Sequence, residues 1–283
     1  MFRRGRREQI MELDFWGTRG TCPVSGKDMV KYGGQTACAS LATAGGEVII
    51  IDAGTGLRGL GQKLGRERGE GNLHLHLLLT HFHLDHVMGL PFFGPFYSDK
   101  TTMTFYTDEE PEEAERLLTA LMAGRLFPLD LPELRSTRHF RKLHAGSLEI
   151  NGVRIKHHPL NHPQGSLAFR LEGGASSVVF ATDTEHPLKG VDEALAEFCR
   201  KAGHLIYDAT FTPEDYEAGK RGWGHSTWEA GTRLAEAAAV GRLYLSHLNP
   251  DFSDREVDRI VRLAKGRFPR TLALCPGMRI KIQ

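Results

Sequence analysis

The sequence predicts an α/β fold in a single domain, and three observations support this. Apolar, β-branched runs recur along the chain and alternate with amphipathic or alanine-rich helical stretches. No Ser/Pro-rich linker interrupts the order, and 283 residues can form one large domain. We therefore predict a single domain over residues 1–283, with residues 1–10 as a flexible basic tail.

The predicted elements follow one another in the order expected of this class. Strands are predicted near residues 12–16, 38–43, 47–51, 74–79, 148–156, 166–172, 177–182, 204–207, 243–246 and 271–274. Helices are predicted near residues 55–65, 111–123, 191–202, 227–240 and 254–266, and the middle of the chain is expected to be more helical than the rest. The turn after the strand at 47–51 contains Asp52, which we expect to brace that turn rather than to do chemistry.

The densest group of chemically active side chains follows the apolar run 75–79. His81, His83, Asp85 and His86 lie within six residues, on a loop at the end of a predicted strand. Neutral imidazoles and a carboxylate suit zinc, manganese or iron, whereas magnesium and calcium need more oxygen ligands. The alternative is a polar turn with solvated histidines, and four candidate ligands at this spacing favour the metal site.

Further candidate ligands follow other predicted strands. His162 lies between two apolar segments, Asp183 follows the run 177–182, and His247 follows the run 243–246. Loops at strand ends are held by a rigid sheet, which is where sites are often built. His157 or His158 could replace His162 as the ligand, but the spacing to Gly165 favours His162.

The His-x-His-x-Asp-His signature and the downstream ligands resemble the metallo-β-lactamase superfamily over nearly the whole chain. The resemblance implies an αββα sandwich of two mixed β-sheets flanked by helices. It also implies two divalent metal ions, with zinc as the first choice and manganese or iron as alternatives. The implied ligands are His81, His83 and His162 for one ion, Asp85, His86 and His247 for the other, and Asp183 for both. The resemblance implies that a hydroxide activated by the two ions would attack phosphorus. We predict Asp85 to be a catalytic residue as well as a metal ligand.

A second motif selects a branch of this superfamily. Tyr207-Asp208-Ala209-Thr210, followed by Gly224-His225-Ser226-Thr227, resembles the phosphodiesterase branch typified by ribonuclease Z. That branch usually has His-Glu-Ala-Thr, so Asp208 keeps the carboxylate on a shorter side chain. The resemblance implies that His225 protonates the leaving alkoxide and that Asp208 orients it. The alternative is that His225 only packs at the start of the helix near 227–240.

Two features of the chain favour a small substrate over a long RNA. Ribonuclease Z carries a transfer-RNA-gripping arm between the segments that match His162 and Asp183, and only 20 residues separate them here. The 36 basic and 35 acidic residues give no overall attraction for a long polyanion. We therefore expect a small phosphodiester substrate, with no membrane partner, and long nucleic acid is disfavoured.

The N-terminal segments 15–20, 23–26 and 32–38 resemble a bacterial subgroup of cyclic-nucleotide and cyclic-phosphate phosphodiesterases. Glycine-rich turns let backbone amides approach an anion, and Thr18, Arg19 and Thr36 could add donors to a substrate. The alternative is a plain hairpin with surface turns.

The remaining features are less specific. The aromatic, proline-interrupted segment 91–134 could form a pocket wall or a contact in a homodimer, although aromatic packing in the core is favoured. The acidic residues near 108–113 complement a helix start. The four cysteines form no metal or disulfide pattern, and without a signal peptide or membrane span we expect a cytoplasmic protein.

These features together predict a binuclear metal-dependent hydrolase that cleaves a small, cyclic phosphodiester. The alternatives are a ribonuclease Z-like RNA endonuclease and a hydrolase of carboxyl esters, thioesters or lactams on the same metals. A nucleotide-sensing module without turnover ranks last, because the full set of seven ligands is present.

Overall fold

The structure of the protein is a computed structural model that describes residues 11–69 and 71–282. The predicted basic tail, residues 1–10, lies outside the described residues. The strands are β1 Met11–Gly17, β2 Cys38–Ala42, β3 Val48–Ile51, β4 Leu73–Leu78, β5 Thr101–Thr107, β6 Thr137–Lys142, β7 Ser147–Ile150, β8 Val153–Leu160, β9 Ser166–Gly173, β10 Ser176–Ala181, β11 His204–Asp208, β12 Arg242–Ser246, β13 Thr271–Ala273 and β14 Arg279–Ile282.

Helices of very different length connect these strands. They are α1 Leu57–Arg68, α2 Leu84–Val87, α3 Pro111–Leu121, α4 Glu193–Cys199, α5 Pro213–Asp215, α6 Trp228–Ala237 and α7 Asp254–Arg267. Short 3₁₀ segments cover Leu90–Phe92, Gly94–Tyr97 and Leu131–Glu133, and a π-type turn covers Tyr216–Lys220. None of the helices in residues 11–69 and 71–282 combines the length and the apolar character that a membrane crossing requires.

The strands form two mixed sheets of seven strands each. The first has the order β14-β1-β2-β3-β4-β5-β6, and its strands β3 to β6 run parallel. The second has the order β13-β12-β11-β10-β9-β8-β7, and its strands β10 to β13 run parallel. The inner strand β3 is buried along its whole length, as is usual for a parallel strand with both faces covered.

Three apolar clusters hold four layers together. The central one joins the facing sides of the two sheets and includes Phe15, Phe169 and Phe180. A second packs α1 and α3 on the outer face of the first sheet, and a third packs α4, α6 and α7 on the outer face of the second. The predicted αββα sandwich is therefore confirmed.

Most of the predicted strands and helices are present, but the middle of the chain was misjudged. Strands β5 and β6 occupy part of the stretch expected to be more helical, and β14 was not predicted. The stretch 148–156, predicted as one strand, is two strands joined by a turn at Asn151 and Gly152, both with positive φ. Strand β6 is polar and only half-buried, because it forms the edge of its sheet, and this hides it from a hydrophobicity pattern.

The aromatic segment 91–134 contributes mainly to the core, as favoured. Phe93 and Phe96 are fully buried against the first sheet, whereas Phe92 is 61% exposed. Helix α3 lies beside a cavity at the end of the sheets, so part of the segment also forms a pocket wall. Contact with a second copy of the chain stays a prediction.

Candidate metal centre

Seven side chains from four segments of the chain meet at one edge of the two sheets. They are His81, His83, Asp85, His86, His162, Asp183 and His247, and we call them the metal cluster. Ligand atoms lie within 4.8 Å of one another in each of four sets: His81 with His83 and His162, His81 with His86 and Asp183, Asp85 with His86 and His247, and Asp183 with His247 and the neighbouring Asp208 and His225. The structure thus brings together all seven predicted ligands. Neither His157 nor His158 belongs to any such set among the described residues.

The edge is built from the carboxyl ends of parallel strands. The segment 81–86 follows β4, Asp183 follows β10, and His247 follows β12. Asp183 and His247 adopt left-handed backbone conformations, with φ values of 60° and 52°. Such conformations cost about 1 to 3 kcal/mol each for residues other than glycine and concentrate at functional sites. The surrounding sheets must hold these two residues in place.

Asp183 lies at the centre of the cluster. Its Oδ1 is 3.1 Å from Nε2 of His247 and 3.9 Å from Nε2 of His81. Its Oδ2 is 3.3 Å from Nε2 of His86. One carboxylate therefore reaches imidazoles of both predicted ligand sets, which is the position that a bridging ligand would take.

The donor atoms of the cluster fit divalent ions. Nε2 of His81 is buried without a hydrogen-bond partner among the described residues, and Nε2 of His86 and Oδ2 of Asp183 are buried with only their 3.3 Å ion-pair contact and no hydrogen bond. Buried polar atoms without a partner are costly and rare, so each needs an explanation. Converging imidazole nitrogens and carboxylate oxygens are the donors that zinc and similar ions prefer.

Oxygen atoms on the protein hold the outward nitrogens of four cluster imidazoles. The pairs are Nδ1 of His81 with Oγ1 of Thr80 at 3.0 Å, Nδ1 of His86 with Oδ2 of Asp52 at 2.8 Å, Nδ1 of His162 with the carbonyl of Gly224 at 2.8 Å, and Nδ1 of His247 with Oγ1 of Thr210 at 2.9 Å. A proton on each Nδ1 would leave the lone pair of Nε2 free to bind a metal. Such partners fix both the tautomer and the ring orientation of metal-binding histidines.

Asp52 has two roles, of which the sequence predicted one. Its Oδ1 accepts hydrogen bonds from the backbone N–H of Thr80 at 2.9 Å and from the Thr80 hydroxyl at 3.0 Å, so it does brace the turn. Its Oδ2 also faces Nδ1 of His86. This fully buried pair would orient His86 toward the cluster.

Opposite charges compensate one another inside the cluster. Burial alone would raise the pKa of Asp183, but the imidazoles of His247 and His86 hold it well below its usual range. Burial alone would lower the pKa of His247, yet Asp183 and neighbouring carboxylates raise it to about 9. Without metal the imidazoles of His86 and His247 thus hold protons among carboxylates, and bound ions would replace those protons.

His225 and Asp208 stand next to the cluster and contact each other. Nδ1 of His225 is 3.0 Å from Oδ2 of Asp208, and the imidazole stacks on that of His247 with ring centroids 4.8 Å apart. His225 retains partial exposure, whereas Asp208 is fully buried at the end of β11. The predicted pair therefore exists, with its partly exposed imidazole beside the cluster.

A clamped loop carries His225. The Glu185 carboxylate accepts hydrogen bonds from the Tyr216 hydroxyl at 2.7 Å and from the backbone N–H groups of Gly222 at 2.8 Å and Gly224 at 3.0 Å. Gly224 has a φ of 80°, and a Cβ there would lie 2.4 Å from Nδ1 of His162. Only glycine fits this close approach between the loop and the metal cluster.

Sequence reasoning missed Thr80, Thr210, Gly224 and Glu185 as supporting residues. Thr80 directly precedes His81, and Thr210 and Gly224 lie inside the motifs that contain Asp208 and His225. Their closeness to candidate site residues in the chain could have identified them as supporting residues. Gly224 and Glu185 act across 62 and 37 residues of chain, which no local pattern reveals.

The predicted substrate contacts Thr18, Arg19 and Thr36 are buried and occupied by protein partners. The Thr18 hydroxyl donates to the carbonyl of Tyr32, and the Thr36 hydroxyl accepts from the backbone N–H of Thr55. Arg19 is fully buried and donates to the carbonyls of Gly33, Asn249 and Phe252. These contacts favour a structural role, and substrate binding by the three residues stays a prediction.

Comparison with known proteins connects this geometry to a family. A family model described as a beta-lactamase superfamily domain matches residues 47–248. The ribonuclease Z of Bradyrhizobium sp. (strain ORS 278) is 26% identical, with 93% of this chain and 96% of that relative covered.

Solved structures agree on the architecture. The metallo-β-lactamase fold protein YhfI from Bacillus subtilis superposes with a TM-score of 0.71 at 19% identity, covering 96% of this chain and 99% of that one. A diphosphatase from the PhnP family superposes with a TM-score of 0.68 at 16% identity, covering 96% and 98%. At such identities the two structures bear on the fold alone.

Proposed function

The chain belongs to the metallo-β-lactamase superfamily, and from this membership we propose that it is a binuclear metal-dependent hydrolase of small, cyclic phosphodiesters. His81, His83 and His162 would hold one ion, and Asp85, His86 and His247 the other. Asp183 would contact both. Ions bound there would supply a nucleophile at neutral pH and neutralise charge on the phosphoryl oxygens.

The contact between His225 and Asp208 is the observation that carries the phosphodiester assignment. An alkoxide is a poor leaving group, so its departure needs a proton from a positioned acid. The buried Asp208 carboxylate accepts a hydrogen bond from Nδ1 of His225 and so fixes the orientation of the ring. Nε2 is then the atom from which His225 would transfer the proton. Hydrolysis of a thioester or lactam on the same metals has no need of an alkoxide-protonating group in this place.

An RNA endonuclease is the second candidate, because the match to a bacterial ribonuclease Z extends over most of both chains. Two observations favour a smaller substrate. The 20 residues between His162 and Asp183 form the β9–β10 hairpin with a tight turn near Gly174, which leaves no segment for an arm. The formal net charge is only +1, so the counterion release that drives polyanion binding would be weak.

The proposal is tested with purified, metal-loaded protein. Cyclic mononucleotides, linear phosphodiesters and thioesters are supplied in parallel, and metal content is measured on the same samples. We expect turnover of at least one small phosphodiester and none of the thioesters. Thioester turnover without phosphodiester turnover would contradict the proposal. The cytoplasmic location also remains a proposal.

A further inference from the structure

A cavity of about 380 Å³ opens beside the metal cluster on the side of His81 and His83. Its volume is in the usual range of small-molecule sites. His225 is not among the residues that line it. A substituent on phosphorus that is not the leaving group could therefore extend into this cavity while the leaving group faces His225.

One wall of the cavity is acidic. Asp108 and Glu109 follow β5, and Glu113 lies in the first turn of α3, all lining the same space. No lysine or arginine lines the cavity. The sequence predicts that these carboxylates complement the start of α3, and their position in the cavity wall also lets them contact a bound ligand.

The local cations make their direct ion pairs with other carboxylates, and Lys142 acts on Asp108 and Glu109 only at longer range. Arg116 pairs with Glu113 at 2.6 Å, and Lys142 pairs with the neighbouring Glu110 at 2.8 Å. Asp108 and Glu109 form no ion pair within the part of the chain that the structure describes. A second phosphate in the cavity would meet these charges, whereas a cation would be attracted by them.

A buried hydroxyl provides an independent sign of a ligand. Ser166, the first residue of β9, lines the cavity and is only 4% exposed. Its Oγ has no hydrogen-bond partner among the described residues. A buried hydroxyl without a partner is rare in a folded protein, and a ligand with N–H groups would satisfy it.

Apolar side chains complete the enclosure. Phe82, Leu117, Leu160 and Leu167 line the cavity together with the carboxylates and Ser166. An aliphatic chain would bury its methylene groups here, and a cation would also be attracted by the face of Phe82. The lining thus combines apolar walls with acceptors and negative charge.

We propose that this cavity is a subsite for a protonated alkylamine on the substrate. The proposal rests on the phosphodiesterase function proposed above and narrows its substrate class to diesters with a short aminoalkyl substituent. The ammonium group would donate hydrogen bonds to Ser166 and to the carboxylates of Asp108 and Glu109. The phosphoryl group would remain at the metal cluster.

Equilibrium binding tests the subsite without requiring turnover. The dissociation constants of 2-aminoethyl phosphate and of propyl phosphate, which has the same phosphate group but no amine, are measured by calorimetry on the metal-loaded protein. We expect the amine to bind about tenfold more tightly, as charge-assisted hydrogen bonds at a partly exposed site allow. Equal dissociation constants, or no binding of either compound, would overturn the subsite.

Variants localise the effect. Asp108→Asn combined with Glu109→Gln should bring the ratio of the two dissociation constants close to 1, and Ser166→Ala should reduce it. Glu112→Gln is the matched control, because it removes one charge from the same helix turn but does not line the cavity. A ratio that falls equally in the Glu112 control would overturn the subsite.

Turnover assays distinguish failure of the subsite proposal from failure of the proposed phosphodiesterase function. 2-Aminoethyl 4-nitrophenyl phosphate and propyl 4-nitrophenyl phosphate are assayed side by side. Hydrolysis of both diesters with equal kcat/KM would contradict the subsite but support the phosphodiesterase function. Selective binding of 2-aminoethyl phosphate without hydrolysis of either diester would retain the subsite and contradict the phosphodiesterase.

Discussion

The Asp208 carboxylate lies 3.0 Å from Nδ1 of His225 and also accepts a hydrogen bond from the backbone N–H of Asp183 at 3.0 Å. Its other oxygen accepts hydrogen bonds from the backbone and hydroxyl of Thr210. A single buried carboxylate therefore connects the proposed acid to the proposed bridging ligand. The orientation of His225 is fixed relative to the metal cluster.

Asp208→Asn should slow cleavage of alkyl phosphodiesters by roughly 100-fold, the lower end of the range for general acid catalysis. The amide keeps the shape of the side chain but loses the negative charge that faces Nδ1 of His225. Kinetics and metal analysis of the same preparation check this. Loss of the metal together with the activity would assign Asp208 to the metal cluster instead.

The protein as isolated should carry about two transition-metal ions per chain, because seven ligands are enough for a binuclear site. Asp183→Ala should lower occupancy of both sites, because its carboxylate reaches imidazoles of both ligand sets. Elemental analysis of metal-replete protein measures this. His74→Ala, an exposed histidine on β4, is the control. One ion per chain at saturation would contradict the binuclear proposal.

Asp52→Asn should weaken metal binding about 10 to 100-fold, as expected when a partner that orients a ligand is altered. The amide nitrogen that then faces Nδ1 of His86 cannot accept a hydrogen bond from that N–H group. Competition with a metal chelator gives the affinity. Asp14→Asn, which alters a carboxylate paired with Lys63 and Arg279 far from the cluster, should leave it unchanged. Unaltered affinity in Asp52→Asn would limit that residue to bracing the turn.

Precursor transfer RNA should be a poor substrate compared with small diesters. The short β9–β10 hairpin offers no arm, and the nearly neutral surface offers little counterion release. Cleavage assays at physiological salt compare the two substrate types. Efficient cleavage at one position of the precursor would favour the RNA endonuclease, with Arg3, Arg4, Arg6 and Arg7 as candidate contacts.

Local patterns predicted much of the fold and the seven cluster residues. Ligands that directly follow apolar strands are visible in the sequence, because the strand and the ligand are neighbours in the chain. The edge strand β6 was missed because its side chains alternate between exposed and half-buried positions. The cavity beside His81 also escaped prediction, since it joins segments that are far apart in the chain.

The N-terminal glycine-rich segment shows the limit of such patterns. A basic side chain between glycines can bind an anion or can fix a turn, and composition does not distinguish the two. In the structure Arg19 donates to carbonyls of residues 249 and 252, more than two hundred residues further along the chain. Only the tertiary fold brings those acceptors to the arginine.

The dependence of His225→Ala on the leaving group tests the proposed mechanism most directly. Rates of wild type and variant are compared on a diester with an alkyl leaving group and on one with a nitrophenyl leaving group, at matched metal content. Loss of the acid should slow the alkyl diester roughly 100 to 10,000-fold and the nitrophenyl diester far less, because nitrophenolate leaves without a proton. Equal losses on both substrates would contradict the role of His225 as general acid.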